Sequence, residues 1–427
     1  MRKGEKALVD RLTQDIQGIE GRVCCGGKMS VPKDYLRLFF ENKNSNKVSA
    51  IQLPANDNEI KALFDACVPA TFGRGNEDVF DVEYRNAVCL DLRNFAIQFH
   101  PSATDLLNEI SKWMVSNHHS LRAESYRLNI YAPGGHFKKH VDTPRGNDMV
   151  GSLVVCFPSE FEGGQLNVRH KEKNWEFNWE TASNQSEQVQ WAAFYSDCEH
   201  EILPVTKGYR VTLTYNLYSE KTKAVGNVSV DLKALPFYHS LKLALQSSNF
   251  LSGGGILGFC LQHAYPLTKG EFRDTFGSSL KGSDILLYEV ARGLGLNVEI
   301  KAVYEVDFEP VEDDSDDCEE EFPKRRHKTS RDYGLSYQDH KVLMVGDEFV
   351  GGGNDYEDER SEYQIIKQDC DARIRREVVW CNRPTEWNEA STYIAYGNEA
   401  TSASIYVAGA FLVNIPPWDV RRKNDRL

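Results

Sequence analysis

A histidine and an aspartate two positions apart, His140 and Asp142, close the segment "YAPGGHFKKHVD" (131–142), just beyond a Pro-Gly-Gly turn. On a strand, residues two apart share a face, so an imidazole nitrogen and a carboxylate oxygen can reach one ion. A third ligand must come from elsewhere. His200, in "FYSDCEHEILPV" (194–205), follows an apolar run and stands 58 positions after Asp142, far enough for the chain to pass through intervening strands and return. Two histidines and one carboxylate on one face of an iron leave positions open for chemistry with molecular oxygen. In a chain with 11 histidines one HxD pair is close to chance, so the weight falls on what surrounds it.

Arg210 lies ten residues beyond His200. In "YRVTLTYNLY" (209–218), alternation puts Tyr209, Val211, Leu213, Tyr215 and Leu217 on one face and Arg210, Thr212, Thr214 and Asn216 on the other. An arginine inside an apolar barrel is costly unless it meets an anion. Its planar fork suits a carboxylate, and Thr212 adds a hydroxyl donor. A small dicarboxylate could therefore bind iron at one end and Arg210 at the other, with a hydrogen bond from the Tyr131 phenol. The same three ligands would also suit zinc and an activated water, a hydrolase reading that leaves Arg210 and Tyr131 without a task.

These residues need a rigid frame. From Tyr126 to about Tyr218 the chain runs in short β-type stretches broken by Gly, Pro, Asn and Asp: "YRLNIY", "GSLVVCF", "GGQLNVRH", "VQWAAFY" and "YRVTLTYNLY". That pattern predicts a barrel or jelly roll rather than a parallel α/β sheet. Before it, "PSATDLLNEISKWM" (101–114) predicts an amphipathic helix capped by Ser102, with Leu106, Leu107, Ile110 and Trp113 on the face that covers a sheet. The expected fold is α+β and β-dominated. Residues 1–225 form a catalytic domain with N-terminal helical support, and residues 226–427 a second, mixed or β-rich accessory domain. Within the latter, "GILGFCLQHAY" (255–265) and "ASIYVAGAFLVNIP" (403–416) supply core material and could build a second barrel without ligands. The run "EDDSDDCEEE" followed by "KRRHK", about 310–330, reads as a solvated acidic/basic linker, with Lys324 to Lys328 a weak match to a nuclear import signal.

Composition limits the partners. With 427 residues and 41% hydrophobic content the chain has material for more than one packed core. A formal net charge of −13 argues against nucleic acid or an anionic membrane as the main partner. The opening "MRKGEKALVDRLTQDIQGIEG" never builds the apolar run of a signal peptide or spanning helix, so a cytoplasmic or nuclear location is expected. Ten cysteines without a CxxC pair or zinc-finger spacing predict reduced thiols.

Other residues carry plainer expectations. His136 and His170 should sit behind or at the rim of a ligand set that is already complete. Arg169 could contact a substrate or be an ordinary strand arginine, and Asn129 joins Arg169 and His136 as a residue that would touch substrate or back the ligands. Cys198 should be a small buried hydrophobe, and His263, with no HxD partner, a structural histidine. "FGRGNEDVFD" (72–81), "SGGGILG" (252–258) and "GGGN" (351–354) lack the features of a phosphate loop and read as plain loops.

Taken together, Tyr131, the Gly-rich turn, "HVD" at 140–142, "EGGQLNVRH" at 162–170, "WAAFYSDCEHEILPV" at 191–205 and "GYRVTLTYNL" at 208–217 resemble the prolyl-4-hydroxylase-like branch of the iron(II)- and 2-oxoglutarate-dependent dioxygenases. The resemblance covers some ninety residues, and its specificity lies in the order and gaps of the pieces. It implies a double-stranded β-helix in which His140, Asp142 and His200 hold iron and Arg210 anchors the distal carboxylate of 2-oxoglutarate. It further implies dioxygen and 2-oxoglutarate as co-substrates, release of succinate and carbon dioxide, and hydroxylation of a peptide side chain or small metabolite, with ascorbate among the suggested cofactors. Many prolyl hydroxylases carry lysine at the anchor. Arginine here matches other members of the superfamily and weakens the inference of a prolyl substrate. The rival reading is a catalytically inert double-barrel scaffold.

Overall fold

The computed structural model describes residues 3–19, 21–42, 47–74, 77–115, 119–143, 145–146, 148–180, 187–221, 231–267, 280–307, 341–346, 372–375, 377–382, 405–407 and 409–423. The acidic/basic run near 310–330 and the "GGGN" stretch lie outside these residues. The strands that frame the site are β1 (Cys24–Ser30), β2 (Val68–Pro69), β3 (Arg85–Asn86), β4 (Val88–Asp91), β5 (His119–Tyr131), β6 (His136–His140), β7 (Met149–Cys156), β8 (Leu166–His170), β9 (Lys173–Phe177), β10 (Gln188–Tyr195), β11 (Glu199–Ile202) and β12 (Arg210–Lys221). They make a seven-stranded sheet in the order β1-β10-β7-β12-β5-β4-β2 and a five-stranded sheet in the order β9-β8-β11-β6-β3. Apolar residues of both sheets, among them Leu128, Val155 and Val211 from the larger and Phe137, Leu166 and Val168 from the smaller, share one core. The result is the expected jelly roll.

Each expected strand is present, with β5 and β12 longer than their apolar runs because they pair with each other from His119↔Lys221 to Tyr131↔Arg210. Strand β7 is buried along its whole length, as its mostly apolar sequence requires of a strand covered on both faces, and its one polar side chain, Ser152, is satisfied by Asp142. The expected helix between 101 and 114 starts later than Ser102. A 3-10 turn over Pro101–Ala103 comes first, then α-helix over Leu106–Met114. Pro101 and the Thr104 hydroxyl, which accepts from the Leu106 amide at 3.2 Å, hold the chain out of helical geometry until residue 106. The segment 72–81, read as a plain loop, contains a short antiparallel hairpin with Phe72 opposite Val79.

A second core gathers helices α1 (Lys3–Gln17), α2 (Pro236–Gln246) and α3 (Gly282–Gly293) with strands β13 (Gly255–Cys260), β14 (Asn297–Asp307), β15 (Lys341–Gly346), β16 (Val378–Trp380) and β17 (Gly409–Ile415). The sheet order is β15-β14-β17-β13-β16. The N-terminal helix belongs here: Val9, Leu12 and Ile16, spaced to line one helical face, are buried with Phe237, Leu241 and Phe411. The chain then crosses to β1 past α3. At Gly21 a Cβ would lie 2.2 Å from the Ser283 amide nitrogen, so only glycine fits the crossing. Cys198 is buried, as expected.

Candidate metal centre and anion pocket

Strands β6 and β11 are antiparallel neighbours with His140 directly opposite His200, and Asp142 follows two residues after His140. The three side chains offer ligand atoms that lie within 4.8 Å of one another, and all are buried. His200 Nε2 stands 3.6 Å from Asp142 Oδ1. The tautomers follow from the backbone. Nδ1 of His140 lies 2.8 Å from the Lys138 carbonyl and Nδ1 of His200 lies 3.1 Å from the Cys198 carbonyl. A carbonyl only accepts, so each Nδ1 carries the proton and each Nε2 keeps its lone pair for an ion. The Ser152 hydroxyl on β7 donates to Asp142 Oδ2 in a short bond. Phe137 stacks on His140 at 3.6 Å between ring centroids, and Phe194 tilts onto His200 at 4.6 Å.

Arg210 is wholly buried, and its Nε, Nη1 and Nη2 have no hydrogen-bond partner among the described residues. The guanidinium lies over the rings of Trp179 at 5.1 Å and Tyr131 at 5.4 Å. Burial pulls Arg210 below the ordinary arginine value, against the opposing pull of Cys156 and Tyr131. Such a group is stable only when an anion meets it. Gly164 makes the space: a Cβ there would stand 2.9 Å from Arg210 Cδ. The pocket and the triad share a wall. Ser152 touches Asp142 and Cys156 lies beside Arg210, and these two residues, four apart on β7, point to the same face. Their separation along the strand is about 13 Å.

The other expected site residues are distributed unevenly. Tyr131 is buried and paired in register with Arg210. Thr212 is buried beside it, with its hydroxyl 3.4 Å from the Asn129 carbonyl. Asn129 Oδ1 accepts from Arg85 Nη2 at 2.9 Å. His136 is tied to the carbonyls of Gly134 at 3.0 Å and Glu83 at 3.2 Å, a rim position. Arg169 is paired with Glu201 at 2.6 Å and Glu199 at 3.4 Å. His170 departs from expectation: it neither backs the triad nor lies at the rim, but is buried and stacked on His263, ring centroids 4.4 Å apart. His263 is the structural histidine expected. Sequence reasoning missed Arg85, which lies 4.4 Å over the Phe137 ring that in turn stacks on His140. It also missed Ser152, Trp179 and Gly164, which carry no local signal beyond strand and turn patterning.

Residues 126–218 match the family model described as the 2OG-Fe(II) oxygenase superfamily. This segment is a 2OG-Fe(II) oxygenase domain. That family works with iron(II) and 2-oxoglutarate, and the donor set in this segment fits both: two imidazoles and a carboxylate for the iron, an unpartnered buried guanidinium for a dicarboxylate. No curated protein matches the chain in sequence. Among solved structures, the chain is similar to a Pseudomonas putida prolyl-4-hydroxylase (15% identity, TM-score 0.29, 49% of this chain and 98% of that one). It is also similar to a Trichoplax adhaerens prolyl hydroxylase solved with a hypoxia inducible factor peptide fragment (12% identity, TM-score 0.27, 51% and 94%). No helix among the described residues is long and apolar enough to cross a membrane.

Proposed function

We propose that this oxygenase hydroxylates a C–H bond in a peptide side chain or small metabolite, with His140, Asp142 and His200 holding iron(II) and Arg210 holding the distal carboxylate of 2-oxoglutarate. The observation that carries the reading is the buried, unpartnered Arg210 guanidinium beside a triad whose two Nδ1 atoms are taken up by backbone carbonyls. Held by His140, Asp142 and His200, iron(II) would supply activation of dioxygen, one oxygen atom going into succinate as 2-oxoglutarate loses carbon dioxide and the other into the substrate C–H bond. The chain's own residues prepare the site. The Lys138 and Cys198 carbonyls fix the two imidazole tautomers, Ser152 turns Asp142, and Phe137 and Phe194 keep water from the faces of the ligand rings. Tyr131 and Trp179 wall the guanidinium so that its charge is directed at an incoming anion. A zinc hydrolase would leave that charge unanswered.

The test is a titration of the iron(II)-loaded protein with 2-oxoglutarate under anaerobic conditions, wild type against Arg210→Ala. Loss of one member of a buried charge pair predicts weaker 2-oxoglutarate binding by about a hundredfold, with iron affinity kept and succinate formation lost. Unchanged 2-oxoglutarate affinity in the variant would refute the assignment.

A further inference from the structure

The chain holds a second His-Asp-His group, His170, Asp197 and His263, buried and with ligand atoms again within 4.8 Å of one another. Its surroundings are those of an ion pair. The wholly buried Lys281 places its ammonium 2.9 Å from Asp197 Oδ1 and fills its remaining donor positions with Ser196 Oγ at 3.2 Å and the Ala264 carbonyl at 2.8 Å. Asp197 Oδ2 accepts from His263 Nδ1 and from the Ala264 amide, both at 3.0 Å. A cation would have to displace the lysine. Behind this pair, Asp284 accepts from the Gln262 and His263 amides and the Tyr265 hydroxyl, whose oxygen in turn accepts from the Lys281 amide at 3.0 Å. Burial alone would raise the Asp197 carboxyl, but Lys281 and His263 outweigh it and hold the group well below the usual carboxylate range.

The location gives the network its meaning. Lys281, His263 and Ala264 belong to the second core's segments, whereas Asp197 lies in the turn between β10 and β11, closed by the Cys198 amide donating to the Tyr195 carbonyl at 3.0 Å. The next carbonyl in that turn, Cys198, is the acceptor that fixes His200 Nδ1. A continuous path of bonds thus runs from the Lys281 ammonium through the Asp197 carboxylate and the turn to a candidate iron ligand.

We propose that Lys281 and His263 are positioning residues for His200, acting through Asp197 and the Cys198 carbonyl, so that the second core is part of the support of the metal centre. This rests on the reading of His140, Asp142 and His200 as the iron site. The experiment measures iron(II) affinity anaerobically in full-length wild type, Lys281→Met, His263→Phe and Leu241→Ala, at a temperature where each variant keeps its native circular dichroism. Leu241→Ala loosens the second core at a buried position of α2 outside the cluster. Lys281→Met is expected to weaken iron binding about tenfold, in the range seen when a residue supporting a metal ligand is lost. His263→Phe, which keeps the ring stack but removes the donor, is expected to weaken it about threefold, and Leu241→Ala to leave it at the wild-type value. His263→Phe carries the test if Lys281→Met fails to fold. Wild-type affinity in the cluster variants, or an equal loss in Leu241→Ala, overturns the proposal. A wild-type chain that binds no iron overturns the site assignment beneath it.

Discussion

The two His-Asp-His groups contain the same three side-chain types at the same burial, and they differ in what holds the aspartate. Asp142 is turned by a neutral hydroxyl, Ser152, which orients a carboxylate without cancelling its charge. Asp197 is held by an ammonium, Lys281, which does cancel it. The histidines differ in the same sense. His140 and His200 give their Nδ1 protons to backbone carbonyls and aim Nε2 at the aspartate's neighbourhood, whereas His263 turns its Nδ1 to Asp197 itself. Residue types therefore do not decide whether such a cluster takes a metal; the sign of the group beside the carboxylate does.

The comparison predicts one metal per chain, not two. Asp142→Ala is expected to lower iron(II) affinity by at least ~100-fold, since even the partners that merely support metal ligands are worth 10–100-fold. Asp197→Asn is expected to leave the stoichiometry at one while weakening the affinity of that single site. Metal content after equilibrium dialysis checks both. Two equivalents bound by the wild type, one of them lost in Asp197→Asn, would break the distinction between the groups.

A smaller effect separates them by pH. His170 is driven down to about 3 from 6.5 by burial first, then by His263, against the attraction of Asp197. Its folded value lies below its unfolded value, so above about pH 6.5 both states are neutral and the group is without effect. As pH falls from there towards 3, the unfolded chain takes up a proton that the folded chain refuses. Stability then declines, with a limiting slope of about 1.4 kcal/mol per pH unit. Between pH 7.5 and 5 this contributes about 2 kcal/mol of destabilisation. His170→Gln removes the titrating group, so urea denaturation at the two pH values should show a smaller acid loss in the variant. An identical loss in both proteins would mean that His170 takes up its proton without unfolding.

What could be read from the sequence follows the range of the interactions. Alternation along β12 placed Arg210 and Thr212 on the inner face, and the HxD spacing put His140 and Asp142 side by side; both are local patterns that a strand's geometry makes visible. His200 came from motif order, and the register opposite His140 explains why that order works. The Asp197 network was invisible because His263 and Lys281 meet Asp197 across 66 and 84 positions, with no periodicity to announce them. His170 was misplaced for the same reason. Helix α1 shows helical spacing in Val9, Leu12 and Ile16, but nothing in that spacing says that it packs on the second core rather than on the adjacent catalytic sheet.

The finest test bears on the anion pocket beside the first group. Gly164 adopts φ +67°, and an alanine Cβ there would stand 2.8 Å from Val205 Cγ2 and 2.9 Å from Arg210 Cδ. Gly164→Ala therefore adds backbone strain and pushes on the arginine that is proposed to meet 2-oxoglutarate, while the metal triad is reached only through Ser152, four residues from Cys156 on β7. A strain of about 1 kcal/mol at a left-handed position, felt through Arg210, corresponds to about fivefold weaker 2-oxoglutarate binding with iron affinity unchanged. Measuring the two dissociation constants on one variant separates the pocket from the triad. Parallel losses would show that the two are a single mechanical unit, and no loss in either would show that Arg210 can shift without consequence for the dicarboxylate.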